Sequence, residues 1–407
     1  MKRKLIDKYL FEIVLGLFII AAFVIRLKLA PNTELSPDYD SYYREWVEFY
    51  RANGIIQGLA HAPGDYYVPF NVIYALCSLL PVAPWVPLSM IPFVCELVSA
   101  FFIYKIFFLL SGKKQPSIMV GAATLFLPFV VFNGALWKQV DAVYTCFLII
   151  SIYELLRKRY RASVIWYAVS FAFKLQSIVF LPLFVILYLT DGYNSFDTDE
   201  TKKDSKAKKT FGIFEFLWIP VVYLIAGLPE VLAGHGLRAT YFAYLGQTGE
   251  LQSEGYGMVS YFPNIYNWGL DPYDEILTIP AVLTLMVILA AIALFIYKHR
   301  DKLDRNTVLY LAIFVSWTCL MILPGMHERY DYAMLLLLTP YAIICRKKLM
   351  ISAITANLCS VATYSITLFR SEIFDMKFVS IFYVAAYIYT AIDFVRLLNG
   401  GISKGEA

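Results

Sequence analysis

Charge is scarce in this chain. Only 16% of its 407 residues are charged while 59% are hydrophobic, which leaves too little polar surface to clothe a water-soluble domain of this length. Histidine is also rare. His61, His235, His299 and His327 show no HExxH or paired spacing, which removes the usual imidazole zinc sites and leaves carboxylates as the groups that could hold a metal. The six cysteines, Cys77, Cys95, Cys146, Cys319, Cys345 and Cys359, all lie within or at the ends of apolar runs, so neither a disulfide framework nor a CxxC metal site is expected. The net charge of +4 comes from cations gathered in short clusters between apolar runs. That is how topology determinants are arranged, and no nucleic-acid partner is expected.

What the chain has in abundance is apolar runs near ~20 residues, the length needed to cross a bilayer with every backbone polar group satisfied internally. The first, Leu10 to Leu29, is too long for a signal h-region and lacks a small-residue cleavage site, so it reads as a retained helix. Candidate spans fall at 10–29, 88–110, 117–134, 141–156, 162–174, 177–190, 211–232, 276–297, 307–324, 332–345, 349–369 and 377–398. The expected fold is an all-α polytopic bundle of about 12 spans, a single membrane domain over 1–407. With Lys2, Arg3, Lys4 and Lys8 inside, the inner loops carry Lys113 and Lys114, RKRYR from 157, KKDSKAKK from 202, KHRDKLDR from 298 and RKK from 346. This positive-inside arrangement implies a plasma-membrane protein with both termini cytoplasmic.

The apolar stretch Val68 to Leu80 must then be interfacial or re-entrant, because a crossing there would turn every later basic cluster outward. The pair 162–174 and 177–190 fits two crossings only as short helices, which leaves a depression in the outer face. Three outer regions follow: 30–87, 233–275 and about 325–331. In the first, Tyr42, Trp46, Phe49 and Tyr50 lie at helical spacing opposite Arg44, Glu45, Glu48 and Arg51, so this segment should lie along the interface. The inner loop 191–210, rich in Lys, Asp and Ser, reads as a flexible connector.

Ionisable groups at membrane depth are costly, so they mark where a site should be sought. SPDYDSYYREW places Asp38 and Asp40 after the first helix, where a carboxylate can serve as a general base or simply form an Asx turn after Pro37. NGALWKQVDAVY puts Lys138, Gln139 and Asp141 at a short outer turn, where Asp141 can cap the next helix or help hold an anion at its N-terminus. FKLQS sets Lys174 and Gln176 between two short helices; the lysine either reaches the headgroups or, if buried, seeks an anion such as phosphate. LPGMHERYDY gathers His327, Glu328, Arg329, Tyr330 and Asp331 in one tight turn, suited to a sugar or diphosphate or else simply solvated. YGMVSYFPNIYNWG mixes aromatics with Asn264 and Asn267, as a carbohydrate site or an aromatic belt would. Glu96, inside a span, should find a structural ion pair.

Asp38 followed by Trp46 and Asn53–Gly54, then WKQVDAVYTCF, AFKLQSIVFLPL, YFPNIYNW and LPGMHERYDYA, stand in one order between about 36 and 340. Together they resemble the GT-C superfamily of membrane glycosyltransferases, nearest to its bacterial mannosyltransferase-related group. WKQVDA is similar to that group's WGQxD element, with Lys138 where the family has Gly. The resemblance implies a catalytic aspartate in the first outer loop, matched by Asp38 with Asp40 as the alternative. It also implies a polyprenyl-phosphate-linked sugar donor and an acceptor outside the cytoplasm, such as a cell-envelope glycan; fold alone does not name the sugar.

Transfer from a sugar phosphate needs a base for the acceptor hydroxyl, but the leaving phosphate is already a stable anion and needs no general acid. Direct displacement inverts the anomeric centre. Cations should steady the phosphate, and Lys174, Arg329 and Arg238 are the candidates. Gln139, Asp141, Gln176, Asn264, His327, Glu328 and Tyr330 are the candidates for holding the sugar or the acceptor. No cofactor is called for, and a metal-independent reaction is expected. The rival is a transporter or flippase of lipid-linked sugars, although no repeat of interrupted helices is visible.

Overall fold

The computed structural model describes residues 2–64, 66–190, 211–244 and 257–400, with side chains from residue 9. The connector expected at 191–210 and the middle of the 233–275 region lie outside the described residues. Apart from one two-residue pair of parallel strands, β1 (Val259–Ser260) and β2 (Met326–His327), the described regular structure is helical, as an all-α fold requires.

Among the described residues, seven helices are long and apolar enough to cross a bilayer: Tyr9–Leu29, Trp85–Ser111, Ile213–Ala233, Asp271–Lys298, Arg305–Ile322, Lys347–Phe369 and Met376–Leu398. They make this a multi-pass membrane protein. An eighth crossing is supplied if Lys114–Phe126 and Pro128–Trp137, bent by 54°, form one broken span. The first, third and fourth of the long helices turn mostly exposed apolar side chains outward, the surface that lipid rather than water accepts.

The expected count of about twelve is not reached by length. Segments 141–156 and 162–174 form Asp141–Leu156 and Tyr160–Phe173, of 16 and 14 residues. At ~1.5 Å per residue neither covers a ~30 Å hydrocarbon core. Segment 177–190 divides into a 3-10 stretch, Leu175–Phe180, and the 9-residue helix Leu181–Leu189, while 332–345 is the 13-residue Tyr332–Ile344. These short helices pack inside the bundle: Leu148, Ile149, Leu183, Leu335 and Leu337 are fully buried and share one core with Trp317 and Phe129.

Within 30–87 the chain forms Arg44–Asn53, Ile55–Ala60 and Val68–Ser78. The last has 11 residues, too few to cross, and is buried on Phe70, Asn71 and Tyr74. Trp46, Val47 and Tyr50 form the inward face of Arg44–Asn53, whereas Tyr42, expected on that face, is half exposed. The cause lies one turn earlier, where Tyr39–Tyr43 is wound as a π-helical turn and shifts the side-chain phase.

The first helix is pinned by charge. Arg26 Nε donates to Glu96 Oε2 at 2.6 Å, and the other guanidinium nitrogens donate to the carbonyls of Ala22 and Leu125. Both side chains are at most 5% exposed, and a β-carbon at Gly134 would press on Glu96 Oε1 and force it to shift. Removing one member of a buried pair leaves the other uncompensated, at a cost of about 3–5 kcal/mol. Arg26→Met should therefore melt several degrees below wild type in detergent. The double variant Arg26→Met/Glu96→Leu should recover most of the loss; a single variant that melts with wild type would remove this pair as the anchor.

Candidate functional site

Six stretches of the chain and Thr367 meet around a cavity of about 830 Å3, the stretches being represented by residues of 37–46, by Pro63, Gly64 and Tyr66, and by residues of 137–139, 174–176, 260–261 and 327–330. Its lining includes Asp38, Trp137, Gln139, Lys174, Gln176, His327, Glu328, Arg329 and Tyr330, so the four motif segments that carry them fold onto one space.

Asp38 is set by its neighbours. Ser36 Oγ donates to the carbonyl of Trp137 at 2.6 Å and accepts from the amide of Tyr39 at 3.1 Å, tying the first loop to the turn at 137. Asp38 begins the π-helical turn without capping it; its Oδ2 accepts from Trp137 Nε1 at 2.7 Å and from Gln139 Nε2, with Tyr43 Oη at 3.5 Å. No hydrogen bond reaches Oδ1 among the described residues, and the residue borders the cavity. The carboxylate is thus held through one oxygen, the geometry that a general base would need. Asp40, the alternative base, does not join it. It is exposed and pairs with Arg44 at 3.0 Å.

The cations lie deeper. Lys174 occupies the extended break between Tyr160–Phe173 and the following 3-10 turn, and its Nζ donates to Asp141 Oδ1 at 2.6 Å. Asp141 is fully buried; its Oδ2 accepts from Asn133 Nδ2 at 2.8 Å and lies 3.6 Å from Arg329 Nε. It therefore neither caps its helix nor lines the cavity, and it is the counter-ion of Lys174. Arg329 also binds Glu328 Oε1 at 3.0 Å and lies over the Trp137 ring at 4.8 Å. Trp137 thus touches the carboxylate through its N–H and a guanidinium through its face.

His327 is held in β2, whose parallel partner β1 precedes Tyr261, a residue in the left-handed region at φ 56° that bridges back to His327. Burial, with Arg329 and Lys174 nearby, pushes the His327 imidazole down to about 3, so it is neutral at physiological pH. Burial raises the Glu328 carboxyl despite the lowering effect of Arg329. Gln176 lines the cavity with its Oε1 unpartnered among the described residues.

Two candidates lie elsewhere. Arg238 is exposed on the short helix Leu237–Tyr241 and does not line the cavity. Asn264 is buried, and its Oδ1 caps the turn Ile265–Trp268. Trp137, Tyr43, Tyr66 and Asn133 were not singled out from sequence, although they touch Asp38, Asp141 or the cavity wall. An indole or phenol in an aromatic-rich membrane chain carries no mark separating it from an interfacial anchor. Among the described residues no three His, Cys, Asp or Glu side chains converge as a metal set.

The chain matches no protein-family model and no curated protein. The resemblance to membrane glycosyltransferases therefore stands on the motifs alone.

Behind Arg329, Asp331 accepts from Tyr383 Oη at 2.9 Å, and burial pushes its carboxyl up to about 7. An unfolded Asp titrates near about 3.9. Between about pH 4 and 7 the folded chain therefore retains a proton that the unfolded chain has released, and stability falls as pH rises through that window. Asp331→Asn keeps an oxygen for Tyr383 and removes this dependence. Between pH 5 and 8 the wild type should lose about 3 kcal/mol more than the variant, read as the difference between their melting curves. Parallel curves would assign the titration to another group.

Proposed function

We propose that this protein is a glycosyltransferase of the GT-C type. It moves a hexose, with mannose, galactose and glucose as candidates, from a polyprenyl-phosphate donor to an acceptor outside the cytoplasm such as a cell-envelope glycan. Asp38 is the base, and the anomeric centre inverts. The observation that carries this reading is the environment of Asp38: Oδ2 is held by Trp137 and Gln139, and the residue borders a cavity large enough for a sugar phosphate, with Arg329 and Lys174 also in its lining. Cavities of roughly 300–1,000 Å3 are typical of small-molecule sites.

In this reading Asp38 Oδ1 accepts the proton of the acceptor hydroxyl while that oxygen bonds to the anomeric carbon. The bond from that carbon to the phosphate oxygen breaks, and the polyprenyl phosphate departs carrying the electron pair. One base suffices because the leaving group needs no proton. Arg329 and Lys174 are the cations nearest the departing charge, and Gln176, Gln139, His327 and Tyr330 are the polar groups available to sugar hydroxyls. The positive-inside reading of the basic clusters in the sequence favours cytoplasmic termini in the plasma membrane and an extracytoplasmic site. The step as drawn is complete with protein groups.

The test is Asp38→Asn in membranes supplied with a polyprenyl-phosphate hexose. Transfer should fall by about 10²–10⁴-fold, the usual worth of a general base, with donor binding unchanged. Undiminished transfer would remove Asp38 from the role. A wild type that transfers no sugar but speeds the passage of lipid-linked sugar between leaflets would favour the flippase.

A further inference from the structure

The cations of this cavity are already occupied. Lys174 is bound by Asp141 at 2.6 Å, and Arg329 by Glu328 at 3.0 Å with Asp141 beyond it at 3.6 Å. Counted at formal charge with Asp38, three carboxylates face two cations, so the site carries a negative excess before any ligand enters. A phosphodiester would add to that excess in a setting where charge is poorly screened. One of the carboxylates must yield, and the geometry separates them. Asp141 has both oxygens engaged, lies at the start of its helix and does not line the cavity. Asp38 is held by Trp137 and Gln139. Glu328 lines the cavity, lies in a turn rather than a helix, and meets the Arg329 guanidinium through Oε1 at 3.0 Å.

We infer that a phosphodiester anion entering the cavity displaces Glu328 from Arg329, and that Glu328 takes up a proton from water as it is displaced. This rests on the glycosyl-phosphate reading of the site and makes donor binding proton-coupled. On its own turn Glu328 faces His327 at 3.9 Å, Arg329, Tyr330 and Asp331. From the other elements come Asp38, which raises its carboxyl, and the Asp141–Lys174 pair behind Arg329. Once the diester shares Arg329, the cation that favours the Glu328 carboxylate is diluted, and the backbone hydrogen bond is left to oppose burial and Asp38. The neutral carboxyl is then the stable form.

The experiment is calorimetric titration of the full chain in detergent with a methyl farnesyl phosphodiester, in buffers of differing ionisation enthalpy. This probe stays a monoanion throughout, so any proton taken up belongs to the protein. Wild type should take up about one proton per diester, with affinity falling about tenfold per pH unit where Glu328 is ionised. Glu328→Gln should bind with no uptake and no such slope, and His327→Gln should keep both.

Wild-type binding without uptake overturns this inference alone, and needs no variant to fold. Uptake that survives Glu328→Gln but is lost in His327→Gln also overturns it, by moving the proton to the imidazole. Absence of saturable binding overturns both the inference and the phosphate half of the proposed function. Phosphatidylglycerol, if it gives the same uptake, upholds the coupling and counts against a dedicated donor.

Discussion

The ion pair between Lys174 and Asp141 is the contact on which the site depends. It joins the break after Tyr160–Phe173 to the first residue of Asp141–Leu156 at 2.6 Å, and both side chains are removed from water. Taking two charges out of solvent costs several kcal/mol each unless geometry and further hydrogen bonds offset it. The offset is local. Asn133 supports the free oxygen of Asp141 and itself meets Tyr364, while Arg329 approaches from the third side. Four distant parts of the chain are thereby fixed around one carboxylate, and the residues that line the cavity above it inherit that rigidity.

Trp137 extends the same logic to the mouth of the cavity. It ends the π-helical turn Phe132–Trp137, just as Asp38 begins the turn Tyr39–Tyr43. Wide turns of this kind redirect side chains that a regular helix would place elsewhere, and they recur at functional positions. Here they bring the indole N–H onto Asp38 and the ring face beneath Arg329. The negative group and the positive one are held in relation by a residue that carries no charge.

Much of this was legible in the sequence because membranes impose a simple grammar. The all-α bundle and the long spans followed from apolar runs, and the partner for Glu96 from the cost of a lone intramembrane charge. Asp38, Gln139, Lys174 and the turn 327–330 were visible as polar groups where lipid should reject them, and these do share one cavity. Arg238 and Asn264 satisfied the same rule but serve an exposed surface and a turn cap. The rule detects displaced polarity without saying which such groups meet. The shorter helices read as crossings from their apolar character but are not marked as crossings by length, for a related reason: a helix buried by other helices and one buried by lipid are equally apolar, and only length separates them. The π-helical turns, set by packing rather than by a residue signature, left no trace to read.

A site of this kind cannot rest with bare cations. In an apolar bundle an unpaired lysine or arginine would shed its charge or draw in whatever anion was at hand, so a stable resting state requires the carboxylates that fill those positions. Anion recognition then becomes an exchange of one counter-charge for another, and its strength is the difference between two pairings instead of the energy of one. Asp141 is too well held to be exchanged. Glu328, on a turn and half of a simple pair, is the replaceable member, and its neighbour His327, neutral through burial, adds no charge to oppose the change. If the cavity takes a phosphodiester as proposed, selectivity over the carboxylate already present rests on geometry at Arg329, whose planar guanidinium can meet two oxygens of one ligand at once.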